Sequence, residues 1–176
     1  MELDTLRLTL REWRESDKAS FFSEITSSPD VMKYFPSVLT QDESNKLVDA
    51  ICERFKQYKG WGLWAVELKS TQEFIGFVGL NRPNDTLPFS PCVEIGWRIA
   101  KKFWRQGYAY EAACEVLIFA FEHLHLDEVV AFTAVLNTPS QGVMQKLGMQ
   151  QSEYFIHPAL DKNHPLAKHV LYRLKK

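Results

Sequence analysis

The residues with most chemistry to offer lie in one run, Val93-Glu94-Ile95-Gly96-Trp97-Arg98-Ile99-Ala100-Lys101-Lys102-Phe103-Trp104-Arg105-Gln106-Gly107-Tyr108-Ala109. An apolar strand here hands over to a helix through a short basic link, and the first amides of a helix have no partner inside it and point at anions. Gly107 at the junction lets a phosphate approach the backbone, while Arg105, Lys101 and Lys102 add positive charge beside it. The arrangement suits a pyrophosphate cradle, although a lone Gly-x-Ala also serves simply to ease a tight turn. A second candidate, Asn137-Thr138-Pro139-Ser140, stands ahead of Val143, Met144 and Leu147 at another strand-to-helix junction.

Glu94 shares a strand face with Gly96 and Arg98. Two readings follow: a surface carboxylate or partner of Arg98, or a partly desolvated carboxyl whose raised pKa suits it to accept a proton. Ser140 is equally open, since Thr138-Pro139-Ser140 is good helix-start chemistry. His123 and His125 are two apart on a helix and share no face, and Cys52, Cys92 and Cys114 are too far apart for a zinc spacing, so no metal site is expected. His157 and His164 fall in a loop near the end where an acceptor could bind, and Trp61, Trp64, Phe74 and Phe77 read as core or pocket wall.

These residues must be positioned by the elements around them. Leu6, Leu8 and Leu10 alternate with Arg7, Thr9 and Arg11, the period of a half-buried strand. Ser16 reads as the N-cap of a short helix carrying Phe21, Phe22 and Ile25, Ser28-Pro29-Asp30 starts another, and Thr40 with Glu43 forms a capping box ahead of Leu47, Val48, Ile51 and Phe55. Gly60 closes that helix. Strands over 63–68 and 74–80, joined by Ser70-Thr71-Gln72-Glu73, form an antiparallel hairpin, and 81–91 is a proline-rich loop. A strand over 93–99, a helix over 107–124, a strand over 128–135, a helix over 139–147 ended by Gly148, and two strands between Tyr154 and Leu174 complete the chain. The order implies a single α/β (α+β) domain over 1–176, a mixed sheet of about seven strands with helices on both faces, and a site at the carboxyl ends of neighbouring strands.

The chain has 176 residues, 45% hydrophobic and 24% charged, enough for one well-packed core. A formal net charge of -1 argues against nucleic acid or a membrane surface as partner. The start Met1-Glu2-Leu3-Asp4 lacks signal-peptide character, so a cytoplasmic location is expected, with the three cysteines reduced in the core.

Together, the Val93–Ala109 run, the Asn137-Thr138-Pro139-Ser140 motif and the opening Leu6-Arg7-Leu8 strand resemble the GNAT superfamily of acetyltransferases. The likeness is greatest to its RimJ/RimL branch of ribosomal-protein N-terminal (alanine/serine) acetyltransferases. Trp104, where the superfamily often has Gln or Arg, favours that branch. The resemblance implies acetyl-CoA as co-substrate and no metal. It implies that the backbone of Trp97, Arg98 and Ile99 holds the pantetheine arm and that Arg105, Gln106, Gly107, Tyr108 and Ala109 hold the pyrophosphate. It further implies that Asn137 contacts the pantetheine and that Ser140 lies near the sulfur and protonates the departing thiolate. Glu94 as the base rests on its strand position and desolvation rather than on the resemblance. The acceptor implied is a protein N-terminal α-amine, with aminoglycosides, polyamines, amino acids, or coenzyme A binding without catalysis as alternatives. The chain is expected to act as a monomer or homodimer, with 81–91 and 154–165 shaping the acceptor site.

Overall fold

The computed structural model describes residues 1–83 and 86–176. Asn84 and Asp85, inside the expected 81–91 loop, lie outside the described residues. The architecture is one mixed sheet of eight strands: β1 (Leu3–Asp4), β2 (Leu8–Arg11), β3 (Leu63–Leu68), β4 (Phe74–Asn81), β5 (Glu94–Ile99), β6 (Glu128–Ala134), β7 (Gln150–Ile156) and β8 (Lys168–Lys175). Their order is β1-β2-β3-β4-β5-β6-β8-β7, and every registered pair is antiparallel except β5 with β6. The expected mixed sheet is therefore present, with β1 as an additional short edge strand.

Among the described residues, four α-helices cover the two faces. They are α1 (Asp17–Phe21, continued by a π turn over Phe22–Thr26), α2 (Gln41–Gln57), α3 (Tyr108–Ile118, with a π turn over Phe119–His123) and α4 (Thr138–Lys146). Cross-strand register assigns the faces. Ile95, Trp97 and Ile99 of β5 pack with Trp64 and Val78 against Ala112, Ala113 and Val116 of α3. Phe77 and Ala65 on the opposite face pack with Phe21, Ile25 and Val48 of α1 and α2.

The capping box at α2 is present in both directions: Glu43 N–H donates to the Thr40 hydroxyl at 3.3 Å, and Thr40 N–H donates to the Glu43 carboxylate at 2.8 Å. After the helix, Gly60 N–H returns to the Phe55 carbonyl at 2.9 Å.

Several local expectations are corrected. Leu6 is 90% exposed and precedes β2, while its neighbours Thr5 and Arg7 bond the Glu111 carboxylate. Ser16 makes no side-chain cap; the Asp17 carboxylate takes the Arg14 N–H at 2.7 Å. Ser28-Pro29-Asp30 opens a series of turns rather than a helix, with Met32 N–H on the Ser28 carbonyl and Phe35 N–H on the Met32 carbonyl. His125 lies beyond the end of the α3 extension at φ 54°. The three cysteines are half-buried rather than core residues. The strand expected near Tyr154 begins at Gln150.

Gly79 has a packing duty: a Cβ there would lie 2.1 Å from the Gly62 carbonyl oxygen and 2.7 Å from the Leu63 Cα. Backbone cannot yield as a side-chain tip does. We expect Gly79→Ala to lower stability by about 2 kcal/mol, as overpacking does, measured by denaturant unfolding; an unchanged midpoint would show that β3 and β4 separate without cost.

Candidate active site

The site begins where two strands part. β5 and β6 run parallel but register at one pair only, Glu94 with Val130, beside Val130 N–H donating to the Val93 carbonyl at 2.9 Å. In the antiparallel ladder of β4 and β5, Ala100 N–H bonds the Ile75 carbonyl, so alternation turns the backbone groups of Arg98 and Gly96 toward β4 and those of Trp97 and Ile99 toward β6. Beyond the Glu94–Val130 apex, the Trp97 and Ile99 amides thus face the gap. The Arg98 backbone does not, a correction to the trio expected from sequence. The Ile99 carbonyl already accepts the Trp104 indole N–H at 2.7 Å.

At the open end of the gap sits the N-terminus of α3. Gly107, its N-cap, has φ 83°, a left-handed conformation that costs an L side chain strain. Its carbonyl accepts the first helical bond, from Glu111 N–H at 2.9 Å, leaving the amides of Tyr108, Ala109 and Tyr110 without a partner inside the helix.

A clamp missed in the sequence fixes this end to the first strands. The Glu111 carboxylate accepts bonds from Thr5 Oγ1 (2.6 Å), Arg7 N–H (2.9 Å) and Arg7 Nε (2.6 Å). Against the pull of burial, those bonds hold the Glu111 carboxyl below its ordinary range. The Arg7 guanidinium also donates to the Gln106 carbonyl at 3.0 Å and lies over the Tyr108 ring at 4.4 Å.

The expected lysines do not join the cradle. Lys101 pairs with Asp30 at 2.8 Å, and Lys102 with Glu24 and Glu73 at 2.8 and 2.6 Å. Arg105, exposed at φ 60°, makes no ion pair among the described residues, and with Arg7 it is the cation nearest Gly107 in sequence or space.

On the other side of the gap, Asn137 is the N-cap of α4. Its Oδ1 accepts the Ser140 N–H at 3.3 Å and its Nδ2 donates to Thr133 Oγ1 at 2.9 Å. Capping therefore falls to Asn137, and Ser140 Oγ makes no hydrogen bond among the described residues.

Glu94 stands at the apex, on the face turned toward α1 and α2. Burial pushes its carboxyl from 4.5 up to about 7, opposed only by a hydrogen bond from the Asn81 side chain. It makes no ion pair with Arg98 among the described residues. Between them on the same face lies Gly96, beside Gly79 of β4, and a Cβ on Gly96 would meet nothing within 4 Å.

Register places Val130 and Phe132 of β6, with His169 and Leu171 of β8, on this face too. Phe132, Phe155 and Phe89 pack edge to face at 4.9–5.7 Å, and His157 lies 4.9 Å from His169. Burial holds both imidazoles below their usual value. This wall joins residues from the 81–91 and 154–165 segments. Phe132 and His169 carried no motif, and only the alternation of their strands could have pointed to them. His164 instead accepts the Leu166 N–H at 3.1 Å.

Comparison with known proteins gives the family. The profile of the Acetyltransferase (GNAT) domain matches residues 7–150. The uncharacterized protein YkkB of Bacillus subtilis is 32% identical over 86% of this chain and 87% of its own length. The FsC-acetyl coenzyme A-N(2)-transacetylase of Aspergillus fumigatus is 33% identical over 88% of this chain and 67% of its own. A GNAT-family acetyltransferase from Bacillus anthracis superposes with a TM-score of 0.83 at 27% identity, covering 99% of this chain and 98% of that one. RimL, described as a ribosomal L7/L12 alpha-N-protein acetyltransferase in complex with coenzyme A, shares the fold with a TM-score of 0.80 at 16% identity, covering 99% and 98%. The chain belongs to the GNAT acetyltransferases and is an acetyl-CoA-dependent N-acetyltransferase.

Proposed function

We propose that the protein acetylates the N-terminal α-amine of a peptide or protein by direct attack within a ternary complex, with Glu94 as base. The observation that carries this reading is a desolvated carboxyl near pKa 7 at the point where β5 and β6 part. A peptide α-amine, with a pKa of about 7.7–8.0, is appreciably neutral near pH 7 and needs only such a weak base, whereas a lysine amine at about 10.4 needs far more. The second reading, a small-molecule amine, draws on the Aspergillus fumigatus relative, whose name specifies N(2) transfer from acetyl coenzyme A to FsC.

The residues fit the co-substrate. The gap-facing amides of Trp97 and Ile99 and the free amides at the start of α3 are donors without a protein partner in the ladder or helix, and Gly107 leaves room for close approach. Acetyl-CoA, when bound, supplies an activated thioester. The amides of Tyr108 and Ala109, with Arg105 and Gln106 in the preceding turn, hold the pyrophosphate. Trp97 and Ile99 donate to the pantetheine and to the carbonyl oxygen on which charge develops. Asn137 keeps a spare donor for the pantetheine after its cap and Thr133 bonds. Ser140 Oγ relays a proton from solvent water to the departing sulfur and ends as the hydroxyl, and Glu94 takes the proton lost by the amine through water. A cysteine nucleophile is not needed, and burial pushes the Cys92 thiol up, the opposite of activation.

The deciding assay is coenzyme A release with peptides of varied N-terminal residue beside polyamines, aminoglycosides and amino acids. Turnover abolished by blocking the peptide N-terminus establishes the α-amine reading, and turnover with small amines alone replaces it with the second. Glu94→Gln should lower kcat roughly 100-fold with coenzyme affinity unchanged; an intact rate removes Glu94 from the mechanism. Gly107→Val should raise the acetyl-CoA KM at least about tenfold, a loss of about 1.4 kcal/mol.

Stability supplies a separate check on Glu94. The folded chain holds this proton more tightly than the unfolded one, so stability is lost as pH rises from 4.5 through about 7. Glu94→Gln escapes that loss. Its Tm advantage over wild type should therefore widen between about pH 5 and about pH 8, and a constant difference would mean that the carboxyl is solvated.

A further inference from the structure

We propose that Arg98 anchors a carboxylate carried by the acceptor, so that the amines acetylated by this chain bear an acidic group. The inference rests on the acceptor lying on the Glu94 face.

Arg98 is a half-buried cation that forms no ion pair among the described residues. Its Nε and Nη1 are shut off from solvent and have no hydrogen-bond partner among the described residues. Burial alone moves the guanidinium down to about 10, with no charged side chain contributing. The acids on the neighbouring α1 and turn segments, and at the start of β4, are already taken: Glu24 and Glu73 by Lys102, Asp30 by Lys101.

Arg11, which is buried, shows what structural use looks like in this fold. Arg11 donates to both Asp17 oxygens at 2.8 and 2.9 Å, to Glu67 at 2.8 Å and to the Glu12 carbonyl at 3.0 Å. A guanidinium kept for stability is paired in this way, because an unpaired one is costly.

What Arg98 has instead is aromatic. Its Cζ lies 4.0 Å from the Phe35 ring centroid and 5.5 Å from that of Phe77, the residue opposite it on β4. Ring contacts engage the flat face of a guanidinium and satisfy none of its in-plane N–H groups, the groups that grip a carboxylate bidentately. Phe35 is 39% exposed on the turn between α1 and α2, so the residue that covers the guanidinium borders solvent.

Position completes the argument. Arg98 and Glu94 stand on one face of β5, about 13 Å apart along the strand at Cα, bracketing the bare stretch at Gly96 where a side chain would meet nothing. An acceptor lying over Gly96 with its amine toward Glu94 directs its far end to Arg98. A free amino acid and a peptide with an acidic side chain near its N-terminus share this chemistry.

The test compares each acidic acceptor with its uncharged amide in the wild type, Arg98→Lys and Arg98→Met. Free amino acids of increasing amine-to-carboxylate spacing form one arm, and peptides with Asp or Glu against Asn or Gln near the N-terminus form the other. In wild type the acid should exceed its amide in kcat/KM by about tenfold or more in one arm, which identifies the source. The ratio should shrink in Arg98→Lys and fall to about one in Arg98→Met. Equal handling of acid and amide by the wild type, or a preference that survives Arg98→Met, overturns the proposal.

Calorimetry of N-acetylated amino acids and peptides, again acid against amide, on the coenzyme A complex gives a readout independent of turnover. Acid-selective binding lost in Arg98→Met but unaccompanied by turnover would retain the anchor and reject the Glu94 base. Coenzyme A affinity reports separately on the cradle. Arg98→Met should also melt no lower than wild type, since it removes two sealed N–H donors that have no acceptor among the described residues; a large fall in Tm would mark a structural role and count against the anchor.

Discussion

The structure turns on an unfinished hydrogen-bond ladder. Strands in a buried sheet satisfy their backbone donors and acceptors by pairing, and a strand left half paired must find partners elsewhere. β5 is fully registered with β4 yet meets β6 at Glu94 and Val130 alone. From that apex the sheet opens as a wedge, with backbone donors on its inner edge and a helix start on either side, α3 from Gly107 and α4 from Asn137. In a continuous sheet Trp97 would be one more paired residue. In an open one its amide is a donor without a partner in the ladder.

Keeping the wedge open requires firm flanks. The Thr5–Arg7–Glu111 clamp ties the start of α3 to the β1–β2 corner, more than a hundred residues away in sequence, and leaves the helix amides free by satisfying Glu111 from the side. Asn137 does the equivalent for α4, joining β6 through Thr133 to the first turn through Ser140 N–H. Gly79 and Gly76 allow β4 to approach the neighbouring backbones closely, so the sheet is tight on the side that must not open. At the two helix starts the anchors are charge-assisted or side-chain hydrogen bonds rather than bulk packing, which position a helix terminus more sharply than apolar contact does.

The two faces of β5 obey different rules. Toward α3, Ile95, Trp97 and Ile99 fill an apolar layer. Toward α1 and α2, Glu94, Gly96 and Arg98 present a carboxyl, a bare backbone and a guanidinium, groups that a strand in mid-sheet buries only at a cost. The contrast between Arg11, saturated with acceptors, and Arg98, facing aromatic rings, separates a polar group that holds the fold from one the fold holds ready.

The sequence by itself determined the elements and the junctions between them. Alternation on β3 to β6, the Thr40–Glu43 capping box, and Gly107 at a strand-to-helix handover are local signals, set by side-chain periodicity and backbone stereochemistry within a few residues. They were enough to expect a mixed sheet with a site at β5 and α3. Only the tertiary structure decided which groups are free to act. That Lys101 and Lys102 are spent on Asp30, Glu24 and Glu73, that Arg7 supplies a cation near Gly107, that Asn137 rather than Ser140 caps α4, and that Arg98 faces Phe35 instead of pairing with Glu94 depend on contacts between distant segments. The physical reason is that charge and hydrogen-bond capacity are consumed pairwise in space. A sequence shows how much of each a residue carries, whereas the packed chain fixes how much remains.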